Sequence, residues 1–304
     1  MLREQDFRHF YKSDITQSLV YTEKERKGIV TRIVLAIVLP IFLIPCLIVL
    51  WRANHEDLYL VPALVLLIGS PIYINKLFGD TQFYKNFKRK IIGKIIKYII
   101  PTLEYDNLQK VDDVEYDNSK FFDNTNTIIY GDDHVSGIMN DVRIEFSELL
   151  AEYKSESDKK EFGNKYQFRG LFFLGEFRRN FSCEFVVKTS SLQLEGSNSA
   201  LVSDAEFNKQ FKIKVFSKPE NLSQVLTNGV IKTIIELQTK IHNDFMVSFA
   251  DNRLYLGIYH DEDLFEPTLF QTMNNYDKIK GYFDDLFYPI VFIEDVTKEL
   301  SLSR

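Results

Sequence analysis

Two short runs of the chain gather carboxylates around an imidazole. In GDDHVSG, Asp132, Asp133 and His134 stand together, and in YHDEDLFEP, His260 is followed by Asp261, Glu262 and Asp263. Such groups can hold a divalent cation or divide the work of a general acid and a general base. Asp132, His134, His260 and Asp263 are therefore the candidate metal or acid–base residues. Against this stands the geometry of an extended chain, whose neighbouring side chains point to opposite sides and so diverge. Neither run has a ligand spacing with a signature of its own, and a solvated acidic turn is the ordinary reading of both. The sequence contains no GxGxxG, GxxxxGK[ST], HExxH, CxxC or GxSxG, so no catalytic residue and no cofactor is expected from a motif. His9 and His242 have no partners in sequence, and Cys183 has only Arg178 and Arg179 upstream as basic neighbours.

Both clusters flank predicted strands. NTIIYG, VRIEF, YQFRGLFFLGEF, CEFVVKT, FKIKVF, FMVSFA and RLYLGIY are short and rich in β-branched and aromatic residues, with Asp251-Asn252 as a hairpin turn between the last two. Phe and Leu in FRGLFFLGEF read as core, and Gly170 and Gly175 within it as bulges. In ENLSQVLTNGVIKTIIELQTKI, Leu222, Leu226, Val230, Ile234 and Ile241 recur at helical spacing, which predicts one helix weakened near Asn228-Gly229. NNYDKIKGYFDDLFYPIVFIEDVTKEL predicts a last helix, broken or kinked at Pro289. LEGSNSALVSD is the expected loose loop. Residues 101–304 are thus predicted as an α+β domain with a mainly antiparallel sheet and flanking helices.

What precedes that domain differs in charge and hydropathy. Residues 1–100 carry a net charge of +7 and residues 101–304 a net charge of −13 within the overall −6, so the two parts face different surroundings. From Ile33 to Trp51 run nineteen residues without a charge, enough at about 1.5 Å each to cross a hydrocarbon layer of about 30 Å. A second uncharged run, Leu58 to Ile74, follows after only RANHED. The expectation is a transmembrane hairpin over residues 29–75, after an N-terminal helical segment at residues 1–28. A cleaved signal peptide fits poorly, because the leader is 28 residues with five acids, the apolar run is too long for a signal core, and it is followed by Trp51 and Arg52 rather than by small residues. Lys24, Arg26, Lys27 and Arg32 precede the first run and seven Lys or Arg lie between Lys76 and Lys97, whereas the turn has only Arg52 beside Glu56 and Asp57. Both termini are therefore expected in the cytoplasm.

Residues 76–100 contain the stretch YKNFKRKIIGKIIKYII, an amphipathic helix ended by Pro101. Lys85, Lys88, Arg89, Lys90, Lys94 and Lys97 are its candidate membrane-surface residues, facing an anionic leaflet. Nucleic acid is not an expected partner, because the helix is tied to a domain whose charge repels phosphate. Cys46 and Cys183, one inside an apolar run and one in a polar context, do not form a disulfide framework, which points to a reducing compartment for the C-terminal part.

The leader with FRHFY, the two apolar runs, FKRKII followed by PTLEY, DDHVSGIMNDVRIEFSEL, FRGLFFLGEFRRNF and MVSFADNRLYLGIYHDEDLFEP together resemble the bacterial DUF3137 family over nearly the whole chain. That resemblance implies a membrane-anchored bacterial protein with a cytoplasmic domain and carries over no catalytic residue. The function expected is that of a multi-pass inner-membrane protein that binds another, unidentified protein. The alternative is a membrane-tethered enzyme centred on the His134 or His260 cluster, and convergence of the two clusters in one pocket would separate the readings.

Overall fold

A computed structural model describes residues 6–79, 81–123, 126–154, 165–194 and 199–302. The chain divides into two compact units, one comprising Arg3–Lys94 with Glu266–Asp277, the other Met1–Leu2, Ile95–Phe265 and Lys278–Arg304.

In the first unit, α1 is one helix over Phe7–Asn54, with a π-helical turn at Tyr11–Ile15. It stops at His55, whose left-handed backbone (φ 53°) donates its N–H to Trp51 O at 2.7 Å. A single 3₁₀ turn leads into α2, Leu60–Phe78. Both helices are long and apolar enough to cross a membrane, and their most apolar stretches are only 11% and 6% buried. Phe42, Ile41 and Val49 on α1 and Val65 on α2 stand exposed. An ordinary soluble core would have buried them.

The third helix, α3, covers residues 81–99 and begins in this unit. Its first part lies along the leader portion of α1. Lys94 Nζ donates to Asp14 O at 3.1 Å and Ser18 Oγ at 2.8 Å, Asn86 donates to Glu25 at 3.3 Å, and Lys90 Nζ sits 3.5 Å from the centre of the Tyr21 ring. Residues 266–277 are held to the same helices. Arg26 Nη1 donates to Leu269 O at 2.6 Å, the Met273 N–H donates to Glu23 Oε2 at 2.9 Å, and Tyr276 meets Tyr11 edge-on at 4.9 Å. The leader therefore packs on the basic helix and on a late segment of the chain.

Among the described residues, the second unit is built on a nine-stranded, wholly antiparallel sheet in the order β1-β2-β3-β4-β9-β8-β5-β7-β6. The strands are β1 Glu104–Asp106, β2 Thr127–Met139, β3 Val142–Tyr153, β4 Tyr166–Glu176, β5 Glu184–Thr189, β6 Ser199–Ala200, β7 Phe211–Ser217, β8 Phe245–Ala250 and β9 Arg253–Tyr259. All seven predicted strands form. The short β1 and β6 carry too little alternation to be seen in sequence. β8 and β9 turn at Asp251-Asn252, where Asp251 has φ 51°. β2 and β3 turn at Asn140-Asp141, both with positive φ, as a two-residue turn matching the strand twist requires.

Register assigns the two faces of the sheet. Leu149, Ala151, Phe168, Phe172, Leu174, Met246 and Tyr255 share one, covered by Val111, Tyr116 and Phe121 from a strap that includes α4, Asp113–Asn118. Ile144, Phe146, Glu148, Leu171, Phe173, Leu256 and Ile258 share the other. There Ile293 of α8, Tyr276–Leu302, comes close to Gly175. α8 runs through Pro289 as one helix, which sets aside the two-piece alternative expected from sequence. The helix before β8 is two helices rather than one, α6 Leu222–Val225 and α7 Asn228–Ile241, with α5 Ala205–Gln210 preceding β7. Thr227 is extended and its hydroxyl accepts the Val230 N–H at 3.2 Å, so an N-cap, not a weak glycine, makes the division. The predicted loose loop contains β6 at Ser199–Ala200; residues 195–198 of it lie outside the described residues.

Candidate functional site

Neighbouring acids in a regular strand diverge, but β2 is not regular at GDDHVSG. Its register with β3 shifts between Asp132 and Val135, and Asp133 takes φ 59°. This bulge turns two consecutive carboxylates toward Glu148, so that one oxygen from each of Asp132, Asp133 and Glu148 lies within 4.8 Å of the others. Asp133 and Glu148 are buried. Tyr105 Oη donates to Asp133 Oδ1 at 2.5 Å, and the Leu264 N–H donates to Glu148 Oε1 at 2.9 Å. Three oxygen-donor side chains so arranged are suited to a hard divalent cation. Glu148 was absent from the sequence reading, because nothing local in VRIEFSEL distinguishes it from an exposed strand acid.

The two clusters singled out in the sequence therefore approach one another through Glu148, but their histidines do not join them. His134 Nε2 is 3.2 Å from Glu145 Oε2, and Glu145 belongs to the opposite face of β3 from Glu148. His260 donates its backbone N–H to Arg169 O at 3.0 Å. Burial holds the His260 ring well below the usual imidazole range, at about 4. Asp263 is exposed and accepts from Arg169 Nη2 at 2.5 Å. Of the four candidates, Asp132 alone enters the carboxylate group.

In α3, Lys85, Arg89, Lys94 and Lys97 are exposed and Lys90 is half-buried. Lys88 departs from the expected membrane-facing set. It is buried, with Nζ 2.9 Å from Glu266 Oε1. A uniform helical wheel already places Lys88 on the apolar side, beside Ile91 and Ile95, and protein covers that side and gives its ammonium a carboxylate partner. Phe87, Ile91, Ile92, Ile95, Ile96 and Ile99 are all buried, so protein and not lipid covers the apolar face.

Burial also shifts two titratable groups away from these clusters. Cys183 is fully buried, and desolvation pushes its thiol up to about 11, an inert rather than a reactive state. Asp285 on α8 is pushed up to about 7, by burial first and by the Asp284 charge second. Its folded state binds a proton more tightly than the unfolded chain, whose ordinary value is 3.8, so this contribution to stability is present below that value and is lost as pH rises through about 7. Asp285→Asn should flatten the fall in unfolding free energy between about pH 4 and about pH 7, as read by denaturant titration in detergent. An unchanged slope would mean that Asp285 stays solvated.

Residues 166–298, from the start of β4 into α8, match a family model described as a protein of unknown function, DUF3137. That is the family the motifs resemble. The matched segment contains Arg169, His260, Asp263 and Asp285; the carboxylate group, α1 and α2 lie outside it, so the match is narrower than the resemblance read from sequence. No curated protein matches the chain. A solved structure titled as the crystal structure of the mycobacterial trehalose monomycolate transport factor A, TtfA, aligns at a TM-score of 0.35 and 6% identity, over 66% of this chain and 95% of that one.

Proposed function

We propose that this is a two-span protein of a bacterial inner membrane, with both termini and the acidic α+β unit in the cytoplasm, where that unit acts by binding another protein. The observation that carries the reading is the exposure of the apolar lengths of α1 and α2, which only a lipid environment makes favourable. The basic flanks of both helices support the orientation. Ile128, Tyr130 and Ile138 stand exposed along β2, which supports a protein partner for the sheet unit. An acid–base enzyme is disfavoured by the placement of His134 on the opposite face of the sheet from Asp132 and Glu148 and by the engagement of Asp263 with Arg169.

The orientation is tested with single cysteines at the exposed positions Asn54 and Glu262, in a background lacking Cys46 and Cys183. An impermeant thiol reagent applied to intact cells should label Asn54→Cys and spare Glu262→Cys, with both labelled after lysis. The reverse pattern would invert the topology. A photo-crosslinking residue at Tyr130 or Ile138 should then give a discrete heteromeric adduct in native membranes. Recovery of uncrosslinked chain alone from both positions would oppose the binding reading.

A further inference from the structure

Between α1 and α2 lies a groove of about 410 Å³, lined by apolar side chains of both helices together with the small residues Ala36, Gly69 and Ser70. At one end stand Arg32 and Tyr73, both exposed. From there the groove runs to Pro40, about 12 Å along the helix, which is most of the depth of one hydrocarbon leaflet. A Cβ built on Gly69 would meet nothing within 4 Å, so contact between the helices does not account for the glycine and the space beside it is open. An aromatic ring and a guanidinium at the mouth of an apolar slot match the layering of a lipid, with its chain in the slot and its phosphate at the interface.

We propose that the groove is a phospholipid site, in which one acyl chain lies between α1 and α2 and an anionic headgroup of the phosphatidylglycerol type pairs with Arg32. The site rests on the reading of α1 and α2 as membrane spans. Charge favours this occupant over a second copy of the hairpin. A copy seated in the same orientation would bring its own Arg32 and its own basic flanks to the same level, whereas an anionic headgroup is attracted there.

The full chain, reconstituted in vesicles of mixed phosphatidylglycerol and phosphatidylcholine and extracted into mild detergent, should retain one phosphatidylglycerol in native mass spectrometry. Arg32→Gln should lower that occupancy about fivefold and abolish the headgroup preference. Gly69→Phe should fill the groove and remove the adduct about tenfold or more while the protein stays folded, because the ring enters open space. Equal adducts in wild type and both variants would mean unselective annular lipid and overturn the site. A dimer mass without lipid, lost in Gly69→Phe, would assign the groove to a second copy instead. An alkaline carbonate wash of the same membranes keeps the two readings apart. Release of the wild type would refute the spans themselves, whereas retention with no lipid adduct would refute the site alone.

Discussion

Gly170→Ala should strongly destabilise the sheet unit. Gly170 sits in β4 with φ 146°, a backbone region closed to other residues, and pairs with Tyr259 of β9. A Cβ there would stand 1.9 Å from Ile258 O and 2.9 Å from His260 N, both backbone atoms of the neighbouring chain segment and unable to swing aside. Relief requires β4 and β9 to part in the middle of the sheet. Strained backbone together with broken pairing costs on the order of 4 kcal/mol, a large share of the roughly 5–15 kcal/mol that holds a domain folded. Gly281→Ala on α8 is the control, since its Cβ meets nothing within 4 Å and alanine is the better helix former by about 1 kcal/mol. Thermal melting and limited proteolysis of the two variants should diverge. Equal stability would show that β4 and β9 are not so closely apposed at this position.

Glu23→Ala should release residues 266–277 from α1. Glu23 accepts from Arg26 Nη2 at 2.7 Å, Arg26 Nε at 2.9 Å and the Met273 N–H at 2.9 Å, and both members of the pair are largely buried. Its removal strands a guanidinium and a backbone donor together, at a cost of about 3 kcal/mol. Hydrogen exchange at residues 266–277 should quicken by about two orders of magnitude, with the sheet protected as before. Glu23→Gln, which keeps one acceptor, should fall between. The Arg26 hydrogen bond holds the Glu23 carboxyl below its usual range. Its contribution is therefore present above the ordinary carboxylate value and disappears as pH falls through the depressed one, so acid should loosen the same segment in the wild type. Slow exchange in Glu23→Ala would place the clamp elsewhere, in Tyr276 and its aromatic neighbours.

The sequence determined those features whose causes lie within a few residues of each other. Uncharged runs marked the two candidate spans, alternation marked seven strands, and Asp251-Asn252 marked a turn, because hydropathy and turn chemistry act locally. The motif resemblance reached DUF3137 on the strength of segments such as FRGLFFLGEFRRNF, within the matched stretch. The tertiary structure decided which acids meet. Alternation along β2 separates Asp132 from Asp133 on paper. A single bulge reverses that and adds Glu148, a residue chosen by strand register and by no motif. It likewise decided what Lys88 meets, since a helical wheel puts it among isoleucines but cannot show the carboxylate distant in sequence, Glu266, that pairs with it there. Burial and register are sums over contacts between remote parts of the chain, and no window of sequence contains them.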